Sequence, residues 1–256
     1  MRVTILGCGG SSGVPLIGNF WGDCDPAEPR NRRRRVSILI EQADTTVLVD
    51  ASPDLREQLL AAGVNRLTGV VLTHAHADHL HGIDDLRAVN FAMQAPLALH
   101  ATPATLAEVG ARFGYALKPL PAGGDYYRPA LVPTPVDSAA FQIGEIAFQC
   151  FEQDHGIGGT TLGLRFGAIA YSTDVVRLPP AAFEVLAGVD TWIVDCLRPT
   201  PHPTHAHFDQ TMEWIARIKP RRAVLTHMGH LMDYRSVAAR CPPGVEPGYD
   251  GMVLEA

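Results

Sequence analysis

The sequence lacks a disulfide framework or a thiolate zinc knuckle. Its five cysteines, Cys8, Cys24, Cys150, Cys196 and Cys241, are odd in number, widely scattered and contain no Cys-x-x-Cys pair. They read as reduced, mostly buried thiols. Positive charge is also scarce: 21 Lys and Arg against 27 Asp and Glu leave a formal net charge of −6, which argues against a chain whose main task is coating a polyanion. No apolar run reaches membrane-spanning length, and the opening residues turn into a glycine loop before a signal-peptide core forms. The expectation is a soluble, cytoplasmic protein with no membrane partner and no strong nucleic-acid binding. No short-period repeat, low-complexity tract or charged linker divides the chain.

What is present is enough for a substantial core: 256 residues, 46% of them apolar. Short runs of β-branched and aliphatic residues predict strands at 3–6, 36–40, 46–49 and 69–73. A helix opened by Pro53 and closed by Gly63 separates the last two. Further helices are predicted at about 81–93 and 103–113, and the proline-rich stretch 118–135 reads as a loop or lid. The second half repeats the alternation, with strands near 146–151, 162–166, 168–172, 191–195 and 223–226 and helices near 180–186 and 209–218, Asp209 serving as a plausible N-cap. Strands alternating with helices across both halves predict one α/β domain over 1–256, two sheets with helices outside.

Histidine is the anomaly. Of 11 histidines, His74, His76, His79 and His81 fall within eight positions. In Thr73-His74-Ala75-His76-Ala77-Asp78-His79, directly after a predicted strand, His74 and His76 point the same way if the chain stays extended, while Asp78 and His79 on the following turn reach a second point nearby. One turn can thus serve two metals, and imidazole with carboxylate suits zinc, manganese or iron. Three more segments border apolar strands: Asp154-His155-Gly156, Ser172-Thr173-Asp174 and Leu225-Thr226-His227.

With those residues in place, the sequence resembles the metallo-β-lactamase fold superfamily, whose hallmark is His-x-His-x-Asp-His followed by His, Asp and His at later strand ends. That resemblance implies a four-layer αβ/βα sandwich of two mixed sheets flanked by helices. The opening Leu6-Gly7-Cys8-Gly9-Gly10-Ser11-Ser12-Gly13-Val14-Pro15, with Asp50-Ala51-Ser52-Pro53-Asp54, Asp195-Cys196 and Tyr249-Asp250-Gly251-Met252, is similar to the phosphoribosyl 1,2-cyclic phosphate phosphodiesterase branch of the carbon–phosphorus lyase pathway. By position, the resemblance implies one metal held by His74, His76 and His155, a second by Asp78, His79 and His227, and Asp174 bridging them. Asp78 counts among the catalytic groups as well, and Asp50 would fix a ligand histidine. The implied cofactors are two divalent ions per chain, Mn2+ or Zn2+ with Fe as a further option. Their task would be hydrolysis of a small cyclic or nucleotide-like phosphodiester, ribose 1,2-cyclic phosphate among them, through a metal-bound hydroxide. A homodimer is implied too.

The leaving-group acid is sought in the loop His202-Pro203-Thr204-His205-Ala206-His207, ahead of a predicted helix. His207 best matches the family's acid and His205 is its rival. Arg30, Arg32, Arg33, Arg34 and Arg35 form a run that either grips phosphate or is a solvated loop. Some relatives hold a structural zinc by a cysteine cluster in the loop after the glycine turn together with a later histidine. Here His230 is kept but the loop has only Cys24, so no structural zinc is expected. His230 is left to face substrate or a backbone group. A tRNA 3′-processing endonuclease, a thioester or lactone hydrolase and a non-catalytic metal-binding scaffold are the competing readings. The stretch between His79 and His155 shows no Gly- and Lys-rich arm of the kind that grips tRNA.

Overall fold

A computed structural model describes residues 1–120, 125–137 and 140–255. The first sheet is built from β1 (Arg2–Gly7), β2 (Ser37–Gln42), β3 (Thr45–Val49), β4 (Gly69–Val71), β5 (Leu97–Ala101) and β6 (Leu131–Pro135). The second contains β7 (Ala140–Ile143), β8 (Ile146–Asp154), β9 (Thr160–Phe166), β10 (Ile169–Ser172), β11 (Thr191–Asp195), β12 (Arg222–Thr226) and β13 (Val245–Pro247). The last strand, β14 (Val253–Glu255), returns to the first sheet, so each sheet has seven strands, ordered β14-β1-β2-β3-β4-β5-β6 and β13-β12-β11-β10-β9-β8-β7. β1, β2 and β3 pair antiparallel and β3 to β6 parallel; in the second sheet β7 to β10 are antiparallel and β10 to β13 parallel.

Successive strand residues point to opposite faces, and both faces of the first sheet are covered. Val3, Ile5, Ile38, Ile40, Val47, Val49 and Val71 pack between the sheets with Phe148, Phe166 and Trp192. Their neighbours Leu6, Leu39, Leu48 and Val70 pack outward, against α1 (Leu55–Ala62), α3 (Leu86–Met93) and α4 (Pro103–Phe113). On the far side, α5 (Pro180–Leu186), α6 (Phe208–Ile218) and α7 (Tyr234–Arg240) contribute Leu186, Trp214, Ile215 and Val237 to the inter-sheet cluster's outer margin. Full burial of such side chains contributes about 1.5–3 kcal/mol each. The layers are helix, sheet, sheet, helix, the expected four-layer sandwich.

Three local expectations are corrected. The helix expected over 81–93 is broken into α2 (Ala77–Leu80), a short 3-10 turn Ile83–Asp85 and α3. Gly82 lies so close to the Ser52 carbonyl that a Cβ there would sit 1.9 Å from its oxygen, and the chain bends at that contact. The stretch 118–135 is not all loop, since β6 pairs with β5 as an edge strand, where prolines 133 and 135 are tolerated; residues 121–124 lie outside the described residues. Finally, His207 rather than Asp209 is the N-cap residue of α6. Among the described residues no helix is long and apolar enough to cross a membrane.

Because β3 runs parallel to β4, and β10, β11 and β12 run parallel to one another, the carboxyl ends in each set lie together, where ligand sites of α/β sheets form.

Candidate metal centre

At the end of β4, Leu72 N–H still bonds the His100 carbonyl at 2.9 Å, so the chain leaves the sheet extended before turning into α2. His74, Asp78 and His79 are buried in this turn and His76 is exposed. Asp50, just past β3, organises it. Its carboxylate lies 2.7 Å from His79 Nδ1 and accepts from Thr73 N–H (2.8 Å) and Thr73 Oγ1 (2.9 and 3.0 Å). That assigns the proton of His79 to Nδ1 and aims Nε2 inward, 3.1 Å from Asp174 Oδ2 and 3.4 Å from Asp78 Oδ2. Thr73 Oγ1 is also 3.1 Å from His74 Nδ1.

The second sheet delivers its residues singly. His155 follows β8, with Nδ1 held 2.6 Å from the Thr204 carbonyl and Nε2 3.7 Å from Asp174 Oδ1. A Cβ on Gly158 would fall 2.2 Å from the His155 ring, so glycine is needed there. Asp174, past β10, has its Oδ1 3.8 Å from His74 Nε2 and its Oδ2 3.4 Å from His227 Nε2. Its Oδ2 also accepts from Thr173 Oγ1 at 2.6 Å. His227 follows β12 and places the same Nε2 3.4 Å from Asp78 Oδ2. Asp50, Asp174 and His227 all have left-handed backbones, at φ 64°, 55° and 57°. Such residues cluster at functional sites, at a cost on the order of 1–3 kcal/mol each.

The ligand atoms form three groups, each within 4.8 Å: His74, His76, His155 and Asp174 in one, Asp78, His79, Asp174 and His227 in the second, and Asp195, His205 and His227 in the third. Asp174 belongs to the first two. All seven residues named from the sequence are therefore brought together.

The leaving-group candidates are separated more sharply. His205 is buried against the cluster, its ring stacked on His227 at 4.6 Å and edge-on to His155 at 4.8 Å. Its Nδ1 lies 3.0 Å from Asp195 Oδ2 and its Nε2 3.8 Å from Asp174 Oδ1. His207, favoured from the sequence, does not join these contacts: it bridges Arg198 in the backbone and starts α6, where the chain turns away toward the outer layer. Asp195 was not singled out as a site residue. The available signal was its position at a strand end, the position that drew attention to Asp50.

Over the cluster lies a pocket of about 400 Å³ lined by Ser11, His76, Asp78, Asp174, His202 and His205 among others. Ser11 and His202 also line an adjoining cleft of about 210 Å³, walled by Gly10, Gly13, Leu197, Arg198, Gly229 and His230. His230 thus faces this cleft, and its carbonyl accepts from Asp23 N–H at 2.9 Å. Each arginine of the run makes a contact within the chain. Arg30 pairs with Glu28, Arg35 with Asp54, Arg34 N–H with Asp250, Arg32 lies over Trp21, and Arg33 is buried.

The model of the beta-lactamase superfamily domain matches residues 45–228. The chain belongs to the metallo-β-lactamase fold superfamily. Within it, the chain is 32% identical to a crystal structure described as a new diphosphatase from the PhnP family, over 100% of this chain and 97% of that one, with a TM-score of 0.90. That puts it in the PhnP-like branch. It is also 31% identical over 255 residues to an octanoyltransferase of Porphyromonas gingivalis, covering 98% of this chain but 51% of that protein. The chain spans about half the length of that relative. A ribonuclease Z of Mycobacterium sp. (strain KMS) is 25% identical over 265 residues, covering 87% of this chain and 90% of the relative. Zinc-bound PqqB from Methylobacterium extorquens shares the fold, with a TM-score of 0.76 at 21% identity over the whole of both chains.

The residues of this chain fit divalent ions. Nε2 of His74 and of His79 are buried without a hydrogen-bond partner while aimed at a shared carboxylate, an arrangement that is costly unless a ligand satisfies it. The electrostatics agree. Burial pushes His74 well below, and His155 below, the ordinary histidine value. Burial pulls the same way on His227, but Asp174 and Asp78 outweigh it and hold it at about 9. Burial would raise Asp174, yet His227, His79 and His74 hold it well below the usual carboxylate range. A carboxylate kept ionised among imidazoles is a seat for metal cations, which compete there with protons.

Proposed function

We propose that this chain is a metal-dependent hydrolase that opens a small phosphodiester with two divalent ions, manganese or zinc, a cyclic or nucleotide-like diester being the substrate class. The observation that carries the reading is the pair of ligand groups sharing Asp174, with the Asp195–His205 pair beside them and one pocket above. His74, His76 and His155 would hold one ion, Asp78, His79 and His227 the other, and Asp174 both. Bound there, such a pair supplies a nucleophile at neutral pH and Lewis acidity toward the phosphoryl oxygens.

The remaining work belongs to the chain. Asp50 fixes the His79 tautomer. Asp78, bordering the pocket, serves as ligand and as one of the charged groups that face the substrate. Asp195 accepts the Nδ1–H of His205 and so presents Nε2 to the pocket, where the imidazolium form delivers its proton to the departing oxygen. We therefore assign the acid to His205 in place of His207.

The test is hydrolysis of bis-para-nitrophenyl phosphate by metal-loaded protein, beside a para-nitrophenyl monoester and a thioester, with Asp174→Ala as control. Diesterase activity that falls at least about 100-fold in the control supports the reading. Thioester turnover without diester turnover overturns it. The ribonuclease Z relatives favour a second reading, cleavage of precursor tRNA, for which the same protein would show activity falling steeply with salt.

A further inference from the structure

Arg33 is 2% exposed, and no partner of its guanidinium carries a charge. Nη2 donates to the Met232 carbonyl at 2.6 Å and to Asn31 Oδ1 at 3.2 Å; Nη1 donates to the Gly229 carbonyl at 3.3 Å and, weakly, to Cys24 Sγ at 3.8 Å. A buried cation held through Nη1 and Nη2 by neutral acceptors alone, its Nε without a partner, is expensive to keep, and its presence calls for a function.

The acceptors come from two segments far apart in sequence. Residues 22–33 form the loop after the glycine turn; residues 228–234 begin directly after His227 and supply Gly229, His230 and Leu231 to the cleft beside the metal centre. Other bonds run between the same segments. Asp23 N–H donates to the His230 carbonyl at 2.9 Å, Asn31 Nδ2 to Asp233 Oδ1 at 2.7 Å and Tyr234 N–H to Asn31 Oδ1 at 2.8 Å. Buried Glu28 joins Arg30 to Arg235. Arg33 is the centre of this seam, because its planar fork reaches two carbonyls of one segment and a side chain of the other.

This is the neighbourhood, marked by Cys24 and His230, in which the family resemblance would place a thiolate-held zinc. The residues do not fit one. Among the described residues, no group of three or more His, Cys, Asp or Glu side chains within ligand distance of one another includes Cys24, and a guanidinium faces its sulfur.

We propose that Arg33 is a positioning residue, a built-in cation that staples residues 228–232 to the loop 22–33 and so holds the wall of the substrate cleft, without a metal. Removing the catalytic ions with a chelator leaves this wall in place.

The test uses the full chain with Arg33→Ala and Arg33→Lys, followed by hydrogen exchange, metal content and diester kinetics. In Arg33→Ala the amides of Asp23 and Tyr234 are expected to exchange at least about 10-fold faster. KM for bis-para-nitrophenyl phosphate should rise about 10-fold with kcat changed less than about 3-fold and metal content unchanged. Guanidinium ion at about 10–50 mM should restore protection and KM in the variant and leave the parent unaffected, which a general loss of packing would not show. Arg33→Lys keeps the charge without the fork and should fall between; if Arg33→Ala does not fold, this variant is read alone, its exchange at the same two amides and its guanidinium response deciding. Unchanged exchange, no response to guanidinium, or a third tightly held metal whose loss loosens residues 228–232 would overturn the proposal. The KM arm rests on the proposed diesterase reading. If the parent hydrolyses no diester, that reading fails, while exchange and rescue still decide the role of Arg33.

Discussion

The two halves of the molecule reach the same site by opposite means. The first sheet contributes His74, His76, Asp78 and His79 from one turn after β4, while the second contributes His155, Asp174, His205 and His227 from separate segments after β8, β10, β11 and β12. In the turn, close spacing along the chain brings the ligands together, and Asp50 and Thr73 fix their orientation. In the second sheet, geometry is set by register: Ser172 pairs with Val194 and Asp195 with Thr226, which brings the ends of β10, β11 and β12 level. Strain differs accordingly. No residue from 74 to 79 has a positive φ, whereas Asp174 and His227 do. Among the dispersed residues, Asp174 and His227 depend on rigid strands to hold an unfavourable backbone, at about 1–3 kcal/mol each; the contiguous turn is held by hydrogen bonds from Thr73 and from Asp50, where the left-handed backbone sits outside the turn.

The largest expected effect tests the dispersed half. His205→Ala should lower kcat by about 10²–10⁴-fold, with most of the metal retained. His207→Ala, altering a residue that starts α6 and does not reach the cluster, should stay within about 3-fold. Paired steady-state kinetics with metal analysis check both, and a reversed order would return the acid to His207 and show that the register places the wrong histidine at the pocket.

A smaller effect tests the contiguous half. Asp50→Asn keeps the size of the side chain but weakens the acceptor that fixes His79 Nδ1–H, so metal affinity should fall about 10–100-fold with the fold intact. Competition against a calibrated chelator measures this. No change would mean that the turn orders His79 unaided and that the contrast between the halves is weaker than the hydrogen bonds suggest.

This contrast also governs how much of the site was legible in the sequence. The turn at 74–79 could be read directly, because two residues apart on an extended chain fixes a direction. His155, Asp174 and His227 were legible only as polar residues at strand ends, and it took the family pattern to join them. Helices Pro103–Phe113 and Pro180–Leu186 and strand Thr191–Asp195 matched to the residue, each having clear punctuation or an unbroken apolar run. β6, with two prolines in five residues, did not look like a strand, and β13 and β14, three residues each, are too short to carry a period. The choice between His205 and His207 was out of reach because both sit two residues apart before one helix. What separates them is Asp195, a contact across ten residues.

Asp250 offers the finest comparison, carboxylate against carboxylate. Asp174 is ringed by imidazoles and held low, while Asp250 accepts from the backbone N–H groups of Cys8 and Arg34, at 3.1 and 2.8 Å, and from the Cys8 thiol, with the Arg34 charge as a lesser lowering influence. Burial outweighs those bonds and pushes Asp250 up to about 6. A folded-state value above the unfolded one, near 3.9, means that this group's stabilisation is present in full below about pH 4 and is lost as pH rises through 6. Asp250→Asn removes the titration, whatever constant offset it adds. The stability of the parent relative to the variant should therefore decline between pH 4 and 7, by on the order of 1–2 kcal/mol once partial exposure is allowed for. Urea unfolding of both proteins, metal-free throughout so that pH-dependent metal binding does not enter and the titrations shared by both cancel, measures that slope. A flat difference would mean that the two backbone donors compensate Asp250 as fully as the imidazoles compensate Asp174, and that charged neighbours are not what separates the two carboxylates.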